Sequence, residues 1–150
     1  MEIIEPDLFE IYLLLFTDVL TSSFAFNVSS EELVLSTMKT FGNYSKQLML
    51  LVAIIAYILS VCINHIFGIM CYKILAPANK KAPELNAKID AIAKSRFLPI
   101  IIGLSFIPFF GKFIILLSGF CRINFIQVLI ISIFTKLIYY IIVIFFTSII

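Results

Sequence analysis

The sequence predicts an all-α integral membrane fold, with two broken or re-entrant helical hairpins and spanning helices in an inverted-repeat arrangement. Three observations lead there. Hydrophobic residues make up 62% of the 150 residues and the mean hydropathy is +1.13, whereas soluble domains are usually about 45–50% apolar. Polar breaks divide the chain into apolar regions at 8–26, 47–72, 97–121 and 123–150. The first and third of these are interrupted and each is followed by an unbroken one, the layout expected of inverted repeats with a site near the membrane midplane.

The first broken segment covers 8–42. Its apolar stretch carries Asp18 and runs into Asn27-Val28-Ser29-Ser30-Glu31-Glu32 before Leu33-Val34-Leu35. Ser29 or Ser30 suits a helix N-cap, with acids in the first turn where the macrodipole favours them. A spanning helix follows over 47–75, and residues 47–72 carry no formal charge.

Residues 76–96 form the expected cytoplasmic basic loop. From Lys73 to Arg96 the bases Lys73, Lys80, Lys81, Lys88, Lys94 and Arg96 outnumber Glu84 and Asp90, and the positive-inside rule puts such a loop in the cytoplasm. Within it, Pro83 opens a short helix-like stretch with Leu85, Ile89, Ile92 and Ala93 at helical spacing.

The second broken segment, 97–121, has Pro108, Gly111 and Lys112 at its middle. Each arm of such a segment is about 15 Å long, half a bilayer core. Bare backbone in hydrocarbon costs several kcal/mol per unsatisfied group, so the break must be buried in protein or line a wet cavity. A kinked spanning helix and a re-entrant hairpin both fit. The hairpin is favoured because it returns Arg122 to the cytoplasmic side. The last spanning helix, 123–150, holds Lys136 about 20 Å from either end, and an ion at that depth costs at least about 2.5–3.5 kcal/mol unless something polar faces it.

The charge is asymmetric: seven of the nine acids fall within residues 1–32, while all eleven bases follow position 38. An acidic start, with Glu2, Glu5, Asp7 and Glu10, is the reverse of a signal-peptide n-region, so none is expected. Cys62, Cys71 and Cys121 read as small hydrophobes. No basic run interleaved with aromatics supports nucleic-acid binding. There is no HExxH, Gly-x-Ser-x-Gly, Asp-rich or Cys/His ligand pattern, so neither enzyme activity, cofactor nor metal is expected.

Each candidate residue has a structural and a functional reading. Glu31 is either a helix-start acid or a proton-carrying carboxyl in a low-dielectric site. Asp18 is a partner for a lysine or a proton relay. Lys112 is a hairpin-tip lysine reaching water or, with Lys136, a receptor for a phosphate. Lys136 is otherwise half of an ion pair with Glu31 or Asp18. Tyr139 and Tyr140, three and four residues on, lie on or near its helix face and could lend hydroxyls. Asn64 and His65 fall about a turn before the basic loop, where a lone histidine suits an interfacial anchor.

Several motifs resemble those of one family. Ser29-Ser30-Glu31 is similar to the Ser-Ser-Glu turn of the DedA membrane proteins, also called SNARE-associated or VTT-domain proteins, and of their YqaA-like subgroup. Asn64-His65-Ile66-Phe67-Gly68 resembles the family's Asn-Tyr-x-x-Gly. Pro108, Gly111 and Gly119 match the second hairpin in spacing, and Thr135 to Tyr140 is similar to the closing Gly-Lys-x-x-Arg-Tyr. The chain departs from that pattern at Asn27-Val28, Ile69, Lys112 and Tyr139. The resemblance implies a single domain over 1–150, with hairpins entering from opposite leaflets and meeting mid-membrane. It implies a flippase or scramblase activity toward an anionic lipid headgroup, polyprenyl phosphate or phospholipid, with possible proton coupling.

The expected function is therefore translocation of such a headgroup by a multi-pass protein of the bacterial inner membrane. Glu31, Asp18, Lys112, Lys136, Arg122 and Tyr139 are its expected site, and Ser29, Ser30, Asn64, Gly68, Pro108, Gly111 and Gly119 its structural motif. A homodimer would supply further walls to a small cavity. The alternative is a non-transporting membrane-organising protein whose basic loop touches lipid or a partner.

Overall fold

A chain this apolar can satisfy its backbone internally only through helices or closed sheets, and the computed structural model is helical in every regular element among its described residues. It describes residues 8–25, 34–35, 37–38, 44–78, 82–107 and 110–146. Helix α1 is Leu8–Ser22, and α2 is Lys46–Ala78. Helix α3 is Ala82–Ala93, α4 is Leu98–Gly103 and α5 is Phe110–Phe120. Helix α6, Phe125–Ile141, widens into a π-helical turn over Ile142–Phe146.

Helix α2 is the post around which the rest is arranged. Its 33 residues extend about 50 Å. Its buried positions include Met49, Ala53, Ala56, Ser60 and Asn64, recurring every three or four residues, so one stripe faces the other helices. Helix α1 lays Leu15, Val19 and Ser22 against the molecule. The Tyr12 and Tyr44 rings, 6.3 Å apart, put the start of α1 beside the start of α2. The two helices therefore run in the same direction, and α1 ends level with Ser60, whose hydroxyl donates to the Ser23 carbonyl at 3.4 Å.

The basic loop of the sequence is largely helix α3, anchored to α2 by Tyr72 donating its hydroxyl proton to Asn86 Oδ1. Ser95 ends the connection, accepting from Phe97 N, and α4 begins with Pro99 in its first turn, where a missing N–H costs nothing. After a 3₁₀ turn at Leu104–Phe106, Ile107 is extended, with φ −67° and ψ 122°. Residue 108 in the sequence is proline, which drives its predecessor out of the helical region. The chain then folds back. A Cβ on Gly111 would collide with the Ser105 carbonyl, an approach that six residues of continuous helix could not give. The 97–121 segment is thus a hairpin, as favoured, rather than a kinked rod.

Helix α5 crosses α2 at backbone contact. A Cβ at Gly68 would strike the Leu116 carbonyl oxygen, and one at Gly119 the His65 carbonyl, so only glycine permits the approach. Helix α5 ends in a Schellman motif: Ile123 N donates to Ser118 O and Arg122 N to Gly119 O. Arg122 holds the left-handed position, φ 56°, that glycine usually takes. Asn124 then caps α6, its Oδ1 accepting from Ile126 N at 3.0 Å. Helix α6 runs back along α2, from Ile123 beside His65 to Phe145 under Lys46.

Two helices are long and apolar enough to cross a membrane, Lys46–Leu75 and Phe125–Phe145. Helix α1, the described arm of the first broken segment, starts at the Lys46 end of α2, and the second broken segment starts at its Tyr72 end.

Candidate functional site

Polar side chains gather at one level of the molecule. Halfway along Lys46–Leu75 falls at residues 60–61, and halfway along Phe125–Phe145 falls at residue 135. Around those positions lie Tyr57, Ser60 and Asn64 on α2, Ser132, Thr135 and Lys136 on α6, and the turns of both hairpins.

The turn after α1 is held by three side chains. The last carbonyls of a helix have no partner within it; here Val19 O accepts from Ser23 N and Thr21 O from Phe24 N. Lys112 Nζ donates to Ser22 O at 3.3 Å. Asn64 works at both ends of its amide: Nδ2 donates to Ser23 O at 2.9 Å and Oδ1 accepts from Ala25 N at 3.0 Å. Lys112 follows the turn of the second hairpin, so its contact with Ser22 joins the two turns directly. It is 4% exposed, which corrects the reading of a tip lysine reaching water. A cation also suits the negative end of the α1 macrodipole.

Asp18, half-buried, reaches back across the first hairpin. Its Oδ2 accepts from Val34 N at 2.9 Å, where residues 34–35 and 37–38 are helical. The bond gives the Val34 N–H a charged acceptor, the stronger kind of hydrogen bond.

Lys136 is 7% exposed and points inward. Its ammonium lies 4.4 Å from the Tyr139 ring centre, 4.9 Å from that of Tyr140 and 5.5 Å from that of Tyr57. All three are within cation–π range. The tyrosines thus bring their rings around the lysine. One turn earlier, Ser132 is wholly buried and its hydroxyl finds no hydrogen-bond partner among the described residues. Next to Lys136, Thr135 gives its proton to the carbonyls of Ile131 and Ser132. The Ser105 hydroxyl lies 3.4 Å from Thr135 Oγ1, on the second hairpin.

Asn64 and His65 need correction. Helix α2 continues past them to Ala78, so they lie mid-helix and are buried. His65 is no interfacial anchor: its Nε2 is 3.2 Å from Ile123 O and its ring meets Phe125 edge-on at 5.2 Å. Within five residues, Asn64 holds the first hairpin, His65 the α5–α6 turn and Gly68 the α5 backbone. Arg122 sits apart, exposed, with its guanidinium 5.6 Å from the Tyr72 ring centre, roughly 22 Å along α2 from Tyr57. Ser29, Ser30, Glu31 and Pro108 lie outside the described residues. Tyr57, Ser60, Ser105 and Ser132 were not anticipated. The sequence signal for three of them was polar groups at helical spacing in apolar runs, 57–60–64 on one helix and 132–136–140 on the other.

The chain is thus an all-helical protein with two helices able to span a bilayer and a polar waist between two folded-back segments. It is 31% identical over 132 residues to Uncharacterized protein RP436 of Rickettsia prowazekii (strain Madrid E), covering 88% of this chain and 93% of that protein, and belongs to the same family. No family model and no solved structure matches it.

Proposed function

We propose that this is an integral membrane protein of the DedA type that carries an anionic lipid headgroup across the bilayer. One observation carries the reading: the two hairpins, starting at opposite ends of α2, meet through Lys112 and Ser22 at 3.3 Å, near the middle of the apolar span. That geometry fits an inverted repeat, with each hairpin entering from its own leaflet. The outward side chains fit lipid. Leu51, Ile55 and Leu59 on α2 and Ile126, Ile130, Phe134 and Ile138 on α6 are large, apolar and exposed, apolar stripes of a kind that a water-soluble monomer would rarely carry.

Two lysines buried at mid-depth favour an anion. Lys136 and the unsatisfied Ser132 hydroxyl, four residues apart on one face of α6, form a cation and donor suited to a phosphate oxygen. Glu31 and Asp18 would supply proton coupling. The basic segment from Lys73 to Arg96 would face the cytoplasm of a bacterial inner-membrane protein, and a second copy would enlarge the cavity walls.

A second reading has its own support, because Lys112 capping α1 and Lys136 among tyrosines are complete as internal contacts. On that reading the protein organises membrane without moving lipid. Reconstitution into liposomes with a fluorescent phospholipid or polyprenyl phosphate separates them. Headgroup flipping above protein-free vesicles, lost in Lys136→Met, supports transport. No flipping by the wild-type protein removes the transport reading and leaves the second.

A further inference from the structure

We propose that the groove between α3, α4 and α5 is a binding site for one acyl chain of an anionic lipid, whose headgroup rests on a rim of cations. The proposal rests on the membrane reading above but not on transport. The groove has a volume of about 220 Å³ and is lined by Ile92 of α3, Leu98 and Ile102 of α4, Leu117 of α5, and Cys121 and Ile123 of the turn that follows. An apolar cavity stays dry and takes apolar guests, and this volume equals roughly seven water-sized groups. That accommodates a run of acyl methylenes from a single chain and is too small for a helix of a partner protein.

The rim supplies the headgroup chemistry. Arg122 stands between the lining residues Cys121 and Ile123, Arg96 is two residues before Leu98, and Lys94 two after Ile92. All three are exposed. Asp90, also two residues from Ile92, is the acid that opposes them. The Arg122 backbone is set by its left-handed turn between two lining residues, and its guanidinium lies over the Tyr72 ring. That mouth lies at the Tyr72 end of α2, away from the polar waist, at the depth of a headgroup layer. An excess of bases there suits the anionic lipids of a cytoplasmic leaflet. The site is therefore a lipid seat at one face of the protein, distinct from the mid-depth lysines.

The full-length protein in phosphatidylcholine nanodiscs, doped with phosphatidylglycerol or phosphatidylcholine bearing a photoreactive diazirine on one acyl chain, provides the test. Mass spectrometry of the photoproducts should place label on residues 98–102 and 114–123 from the phosphatidylglycerol probe in preference to the phosphatidylcholine one. Arg96→Gln with Arg122→Gln should lower that preference about fivefold per cation removed. Leu117→Trp, at a position 54% exposed, should fill the groove and remove the label without disturbing the core. Ile102→Trp serves as a second filling variant where melting shows it folded. Equal labelling by the two probes in the wild type, or label unchanged in a folded, filled variant, would overturn the proposal. Groove labelling in a protein that flips no lipid would sustain it while ending the transport reading, and failure to enter nanodiscs would end the membrane reading itself.

Discussion

Asn64→Ala tests how the first hairpin is held. The side chain is wholly buried, and its amide makes two hydrogen bonds to the turn after α1. Alanine removes both. Ser23 O keeps the Ser60 hydroxyl at 3.4 Å, so its loss is about 1 kcal/mol, the net worth of an ordinary bond. Ala25 N, buried with its residue at 4% exposure, loses its bond to Asn64 Oδ1, and an orphaned buried N–H costs about 1–3 kcal/mol. The sum, about 2–4 kcal/mol, should lower Tm by about 4–16 °C. A fluorogenic thiol dye can follow melting of the purified protein through Cys62, Cys71 and Cys121, all free and partly buried. Ser60→Ala should cost less, because Ser23 O then retains Asn64. An Asn64→Ala protein that melts within a degree of wild type would refute the assignment of Asn64 as the clamp on this turn.

Three further outcomes follow from the same geometry. Gly68→Ala and Gly119→Ala should each force α2 and α5 apart and lower Tm, whereas Gly103→Ala, with nothing within 4 Å of its Cβ, should gain up to about 1 kcal/mol from helix propensity; the same melting assay ranks them. Arg122→Gly should be more stable than Arg122→Ala by about 1 kcal/mol, since both lose the Tyr72 contact but only glycine takes φ 56° freely. Lys136→Met should melt higher than wild type, because a buried cation is exchanged for an apolar chain of similar length, while lipid flipping in liposomes falls to background. A Lys136→Met protein that is less stable would mean that the contacts of the lysine, the tyrosine rings among them, contribute more than the desolvation they offset.

The helices were legible because their signals are local. Uncharged length marked α2 and α6, the Pro83 stretch marked α3, and Pro108 with Gly111 marked the fold-back between α4 and α5. Depth along a helix was less legible. Asn64 and His65 read as near a surface because Lys73 follows closely, yet α2 runs on to Ala78 and carries them to the middle. Partners across space were least legible. Nothing local to Lys112 says that it meets a carbonyl ninety positions earlier, and nothing near Tyr57 says that a lysine on α6 lies over its ring. The cap at Asn124 was overlooked although asparagine before an apolar helix is a strong N-cap signal. The left-handed Arg122 had no signal at all, since glycine is the usual occupant.

The position of the polar groups follows from what a half-length helix demands. A helix that crosses a bilayer completely leaves its unsatisfied carbonyls and N–H groups in the headgroup layers, where water meets them. One that stops halfway leaves them in the least polar part of the structure, at several kcal/mol each. Every folded-back segment therefore requires donors at mid-depth, and these must come from helices that pass that depth intact. Ser60 and Asn64 on α2 fill that role for Ser23 O in the turn after α1, and Thr135 on α6 shares a hydroxyl contact with Ser105 of the second hairpin. The lysines go beyond this requirement. A neutral donor would have served Ser22 O, and tyrosine rings do not need a cation between them. Hairpin closure explains Ser60 and Asn64, and it does not by itself call for the two buried cations, which the transport reading assigns to an anion. The stability gained on neutralising Lys136, set against the flipping that is lost, is the measurement in which that difference between a structural and a functional charge becomes visible.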